Sequence, residues 1–335
     1  ALIPTDATAT TVLTYQLRPT LRNDHGTDGS AMVTTSDVIN TAQASVISPG
    51  GIGCAQAEPS QTCDAPTATD SGEIDIAEPT YTVAAGKSIS PSVRYEDEAP
   101  GYTVTLTGQP TGTARTQLLT LTDASATFWN AFDLASLSTV TLPAPVNQLR
   151  VSVLTGISYS VDGGTLVPVC SGSTDLSACW HASGWQDVDA NRQVVPSLPG
   201  GITASEVRGV RFEVRSVAGG VPVQWERPAD PQVTIRFAAT RRTLLVYGTN
   251  GALDTPVPST LPGMATAPGE LVQGVTTDDV SVDGLAAWRA QSGNAYTDHS
   301  QASSTTMLRH RVNQIKVEKS PGQGTDSEAP RYDLD

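Results

Sequence analysis

Short runs in which Val, Leu and Ile alternate with Thr, Ser and Arg recur along this chain, and Gly, Pro, Asp or Asn interrupts nearly every one. A period of two sends successive side chains to opposite faces of a strand, so each run reads as a half-buried β-strand. The pattern predicts strands at 10–18, 32–48, 81–86, 101–108, 116–123, 139–143, 148–155, 157–169, 207–225, 232–240, 243–248, 274–284 and 307–319. VDGGT (161–165) is a tight-turn signal, and VRFEVRSVAGGVPVQW (210–225) reads as a hairpin turning at Gly219-Gly220. No segment sustains a helical period for long. TFWNAF (127–132) predicts one short helical turn that plugs an end of a sandwich with Phe128, Trp129 and Phe132. The chain is therefore read as all-β.

Charge narrows the class of partner. The net charge is −14 and the sequence pI about 4.6. Such a surface repels nucleic acid and anionic membranes. No run of about 18 apolar residues is present, so no transmembrane helix is expected. No secretion signal opens the sequence and no sorting signal closes it, and an internal fragment or mature form is expected. Enzyme motifs are missing: there is no Gly-x-Ser-x-Gly elbow, no His-Glu-x-x-His and no phosphate loop. Aromatic residues make up only 5% of the chain, which argues against a sugar-cleaving cleft. A non-catalytic protein is expected.

Four cysteines form two pairs of identical spacing, Cys54/Cys63 and Cys170/Cys179, each bracketing eight mostly polar residues. Loops this short bring their ends within disulfide reach, whereas zinc ligands sit closer together in sequence. Two disulfides are expected, and with them an oxidising, extracytoplasmic location.

The chain also repeats itself out of phase. Lys-Ser followed by Glu-Ala-Pro-x-Tyr occurs at 87–102 and again at 319–332, and TTSDV (34–38) matches TTDDV (276–280), displaced by roughly 230–240 positions. This is the pattern of a window cut from a tandem array. Lys87, Ser88, Pro91 and APGYTVTL (99–106), the strand end LTLTD (119–123), VRGVRFEV (207–214), Trp225 with Pro228, and QVTIRF (232–237) together resemble the repeat-array surface proteins of high-GC Gram-positive bacteria, built on a conserved-repeat, Ig-like domain of unknown function. The resemblance covers most of 80–318 and departs from the family at 165–200.

It implies tandem Ig-like β-sandwich domains. Residues 1–79 would be closing strands of a preceding sandwich plus a linker, and 80–155 an Ig-like sandwich. Residues 156–318 would form a larger sandwich with a loop insertion, and 319–335 the opening strand of a following repeat. The function it implies is a structural stalk or fibre segment of a secreted cell-surface adhesin, extracellular and attached through parts of the parent outside this sequence. Its expected partners are neighbouring repeats. The competing expectation is a module that binds glycan or host protein through the 165–192 insertion.

Three places carry chemistry. Lys87 and Lys319 are repeat-equivalent among only three lysines, and each is a candidate for the amine of a Lys–Asn isopeptide bond. That bond needs a buried amine, an Asn carboxamide and a protonated Asp or Glu, and nothing in the sequence fixes the last two. Asp187, Asp189 and Asn191 alternate as at the start of a calcium loop, but Arg192 stands where the loop needs Gly. No cofactor is expected, and a structural calcium has this one candidate position, against a plain polar turn. Trp180, His181 and Trp185 form the candidate ligand patch. Exposed rings there would favour binding, and buried rings would favour a core-capping role. The carboxylates of TDD (277–279) and YEDE (95–98) are expected in solvated loops.

Overall fold

The computed structural model describes residues 79–95, 97–225, 231–247, 273–289 and 295–309, the short stretches 20–22, 28–32, 38–45 and 67–74, and positions 12 and 14. Cys54, Cys63, Lys319 and the second copy of the Glu-Ala-Pro motif lie outside the described residues. The strands in chain order are β1 (Thr20–Arg22), β2 (Asp28–Met32), β3 (Val38–Ser45), β4 (Thr67–Ile74), β5 (Tyr81–Ser90), β6 (Val93–Tyr95) and β7 (Gly101–Gly112). There follow β8 (Thr116–Asp123), β9 (Phe132–Leu137), β10 (Val140–Thr141), β11 (Gln148–Leu154), β12 (Ile157–Asp162), β13 (Thr165–Cys170) and β14 (Trp180–Ala182). The last are β15 (Gln186–Asp187), β16 (Gln193–Val194), β17 (Val210–Ala218), β18 (Val221–Val223), β19 (Val233–Arg241), β20 (Gln273–Arg289) and β21 (Ala295–Arg309). One α-helix, α1 (Ala126–Ala131), stands among them. The fold is all-β.

The chain divides into two compact units. One comprises residues 1–80, 112–114 and 286–296, and holds the antiparallel ladders β1/β2 and β3/β4. The other comprises 81–111, 115–285 and 297–335 and holds the large core.

In this second unit a four-stranded sheet runs β5-β7-β19-β9. A larger sheet runs β14-β11-β17-β8-β20-β21-β6, with β15 on β11 and β18 on β17. Alternation decides which side chains enter the core. Val104, Leu106, Ile235 and Phe237 face inward from the small sheet, and Leu119, Leu121, Val151, Phe212 and Val214 from the large one, all fully buried. A Cβ on Gly108 of β7 would meet Val282, Leu119 and Leu121, so the two sheets pack face to face. Strands from either side of residue 155, where the sequence reading divides two sandwiches, share the large sheet: β11 and β8 both pair with β17.

Helix α1 is the expected aromatic plug. Phe128, Trp129 and Phe132 are all buried; Phe128 stacks on Phe132 at 4.5 Å, and Trp129 lies 5.9 Å from Phe237. The turn at VDGGT joins β12 to β13, with Gly163 and Gly164 at φ 55° and 83°, a left-handed pair that side chains with a Cβ resist. Cys170 and Cys179 are joined by a disulfide that packs on Leu154. Two expectations fail locally. Of the expected strand 243–248, residues 243–247 form no extended strand, because the Arg242 side chain turns there to Leu244 O and Asp133, and residue 248 lies outside the described residues. The last strand begins at Ala295 rather than near 307.

Candidate functional site

Lys87 lies in the core between the sheets. On β5 the inward positions are Tyr81, Val83, Ala85, Lys87 and Ile89, so the two-residue period carries the lysine stem inward with its apolar neighbours. On β8 the same period carries Asp123 inward behind Leu119 and Leu121. On β20 it carries Asp278 inward ahead of Val280 and Val282. The strands β8 and β20 are neighbours in the large sheet, whereas β5 belongs to the small one. Three polar side chains from three strands therefore meet in one place.

The geometry is tight. Lys87 Nζ lies 2.7 Å from Asp123 Oδ2 and 2.7 Å from Asp278 Oδ1, and all three side chains are 0% exposed. The same Nζ donates to the Asp279 carbonyl at 2.9 Å, and the Phe128 ring sits 5.8 Å away. Asp123 is fixed from behind: Trp129 Nε1 donates to its Oδ1 at 2.9 Å. Asp278 is met by the Lys87 amine at ion-pair distance through its Oδ1. Burial, and then the neighbouring Asp123 charge, push the Asp278 carboxyl well above the usual carboxylate range, against the pull of Lys87.

The expectation for TDD (277–279) is thereby corrected: Asp278 is a core residue. Its position two and four residues from Val280 and Val282, on one face of a strand, is the signal that could have found it. The asparagine expected beside Lys87 is replaced by a second aspartate. Lys319 lies outside the described residues.

In the 165–192 insertion, Trp180 packs on the buried cluster of Leu154, Cys170 and Cys179. Trp180 and Trp185 are half-buried, and His181 is exposed. Strands β14 and β15 dock on the edge strand β11, and the indoles lie on the polar outer face of the large sheet. There Arg215 and Arg150 sit 3.8 Å and 4.8 Å from the Trp185 ring centre, and Arg211 sits 4.2 Å from that of Trp180. Arg150 is itself clamped by Glu213, its partner across the β11/β17 ladder, through two bonds of 2.6 and 2.7 Å. The tryptophans thus cover a row of guanidinium groups, an arrangement worth about 0.5–1 kcal/mol per stacked pair at exposed sites.

At DVDAN, Asp189 Oδ1 accepts the N–H groups of Asn191 and Gln193, and Asp187 Oδ1 accepts from Gln148 Nε2. These contacts are those of a turn tied to the sheet. Among the described residues no group of three or more His, Cys, Asp and Glu side chains is placed to hold a metal ion. A separate open groove passes Leu118, Thr120 and the His299–Asp283 pair, whose Nδ1 and Oδ1 are 2.7 Å apart. No described helix is long and apolar enough to cross a membrane.

No protein-family model matches the chain, and no curated protein matches it. Solved structures offer distant likenesses. One is the crystal structure of a variant of BcpA, the major pilin subunit of Bacillus cereus, at 6% identity and a TM-score of 0.27, covering 82% of this chain and 64% of that one. Another is AggA, the major subunit of aggregative adherence fimbriae type I from Escherichia coli, at 8% identity and a TM-score of 0.22, covering 68% of this chain and 95% of that one. A third is a pore forming protein, at 9% identity and a TM-score of 0.17, covering 70% of this chain and 92% of that one. This chain thus spans less than two thirds of the first of these structures.

Proposed function

We propose that this chain is a tension-bearing structural segment of a secreted bacterial surface fibre. It is a non-catalytic stalk of β-sandwich units that works outside the cell and has neighbouring repeats as its partners. The observation that supports this best is the buried group of Lys87, Asp123 and Asp278. A charged cluster in a dry core is costly to desolvate and contributes little net stability in an ordinary domain. Its benefit is positional: it ties β5 of one sheet to β8 and β20 of the other, so the sheets resist being pulled apart.

The test is single-molecule pulling on the full chain, with handles at its two ends. A high unfolding force that falls sharply on Lys87→Ala is expected. A wild-type force no higher than that of an ordinary sandwich, unchanged by Lys87→Ala, would remove the mechanical reading.

The rival reading, glycan or host-protein binding by the 165–192 insertion, is weakened by the arginines stacked on both tryptophans. Binding to a glycan array that disappears on Trp185→Ala, with the fold intact, would restore it.

A further inference from the structure

We propose that Lys87 and Asp278 condense within the folded chain to an isopeptide bond that joins β5 to β20, with Asp123 as the proton relay. This rests on the mechanical reading above for its purpose, while its chemistry stands on the side chains alone.

The geometry holds every participant. Lys87 Nζ lies against both carboxyl groups at 2.7 Å, and the Asp279 carbonyl steadies it from a third direction. Holding an amine and a carboxyl in contact replaces an encounter in solution, which raises the effective concentration of one at the other by many orders of magnitude. The zero exposure of all three side chains removes the water that would oppose a condensation.

The two aspartates differ in ways that divide the roles. Amide formation needs a neutral carboxylic acid as the electrophile, because a carboxylate carbon repels an incoming lone pair. Asp278 is the acid that burial and the Asp123 charge push toward its neutral form, and its Oδ1 meets the Lys87 amine at 2.7 Å. Asp123 is anchored on Trp129 by Oδ1 and faces the amine with Oδ2, as a relay requires.

The step balances without a co-reactant. Asp123 Oδ2 takes one proton from the Lys87 ammonium, and the freed Nζ lone pair attacks Asp278 Cγ. The tetrahedral intermediate returns a proton through Asp123 to the departing hydroxyl, the C–O bond breaks, and water leaves. Asp123 keeps the second proton from nitrogen and ends as a neutral acid beside the new amide.

Intact mass under denaturing and reducing conditions tests this. The wild-type chain is expected lighter than its reduced formula by one water, about 18 Da. Lys87→Arg, Asp278→Ala and Asp123→Asn are expected at full formula mass. Asp278→Asn is expected to form the same amide with loss of ammonia instead, about 17 Da. Digestion of the wild-type protein should also yield a branched peptide joining the fragments that carry Lys87 and Asp278, which needs no variant to fold. Wild type at full formula mass overturns the proposal. An ammonia loss from Asp123→Asn, or a branch at Asp123, overturns the division of roles. Full formula mass with a high, Lys87-dependent unfolding force removes the bond and leaves the mechanical reading standing. A missing water with an ordinary force does the reverse.

Discussion

The indole of Trp129 and the carboxylate of Asp123 are joined at 2.9 Å, Nε1 to Oδ1, with the Asp123 carbonyl accepting from the same N–H at 3.2 Å. Six residues apart in sequence, they connect the aromatic plug to the buried charges. Both are fully buried, so the donor has no substitute. Trp129→Phe keeps most of the apolar volume and leaves Asp123 Oδ1 unsatisfied. A loss of about 1–3 kcal/mol is expected in urea unfolding, together with slower loss of water from Lys87 and Asp278 during refolding.

Tyr159 is buried, and its hydroxyl has no hydrogen-bond partner. Burial raises its pKa above the ordinary phenol value, and the Arg208 and Arg242 charges only partly oppose this. The folded state therefore keeps its proton where the unfolded state releases it. Stability from this residue is complete below the ordinary tyrosine pKa of about 10 and is lost as pH rises beyond it. Tyr159→Phe is expected to leave stability at neutral pH unchanged or slightly raised, and to shift the alkaline unfolding midpoint upward in a pH series followed by circular dichroism.

The Cys170–Cys179 bond closes a short loop whose sulfurs pack on Leu154, with Ile157, Leu176 and Trp180 around them. Loop-closure entropy for such a span gives about 2–3 kcal/mol. The Cys170→Ala, Cys179→Ala double variant is expected to lose about that much in thermal unfolding. It should also loosen the seat of Trp180, read as a change in tryptophan fluorescence before the main transition.

Gly284 marks a close crossing. A Cβ there would lie 2.4 Å from Val83 and 2.5 Å from the Tyr81 hydroxyl. These neighbours belong to the opening of β5, which is further held by the bond from Val83 N–H to Asp298 Oδ2 at 2.7 Å. Gly284→Ala is expected to cost about 1–3 kcal/mol by overpacking, whereas Gly184→Ala, with nothing within 4 Å, should cost far less. Parallel denaturant titrations of the two variants check this.

Much of the fold was legible because its strands alternate apolar and polar residues. Val104, Leu106, Leu119, Leu121, Ile235 and Phe237 announce their faces without help. Strand β21 was legible only at its end. Its first part, YTDHSQASST (296–305), alternates half-buried with exposed positions but carries no apolar contrast to reveal the period. The site was half legible. Lys87 stood out by scarcity and by its repeat position. Asp123 and Asp278 were hidden because carboxylates on an acidic chain read as solvent-facing, although each keeps strict period with buried Leu or Val neighbours. What no single segment shows is that β5, β8 and β20 converge, since pairing across such distances in sequence is a property of the assembled sheets.

The three-residue strand β6 pairs with the end of β21 in parallel, Val93 with Met307 and Arg94 with Leu308, and Met307 N–H adds a bond to Ser92 O at 2.8 Å. Chain direction gives this small ladder a distinct behaviour under tension. The chain arrives at the leading end of β6 and departs from the trailing end of β21. Opposite pulls on those two ends slide the strands lengthwise instead of peeling one from the other. Its hydrogen bonds then share the strain together, as rivets in a lap joint do, and none opens until all are strained.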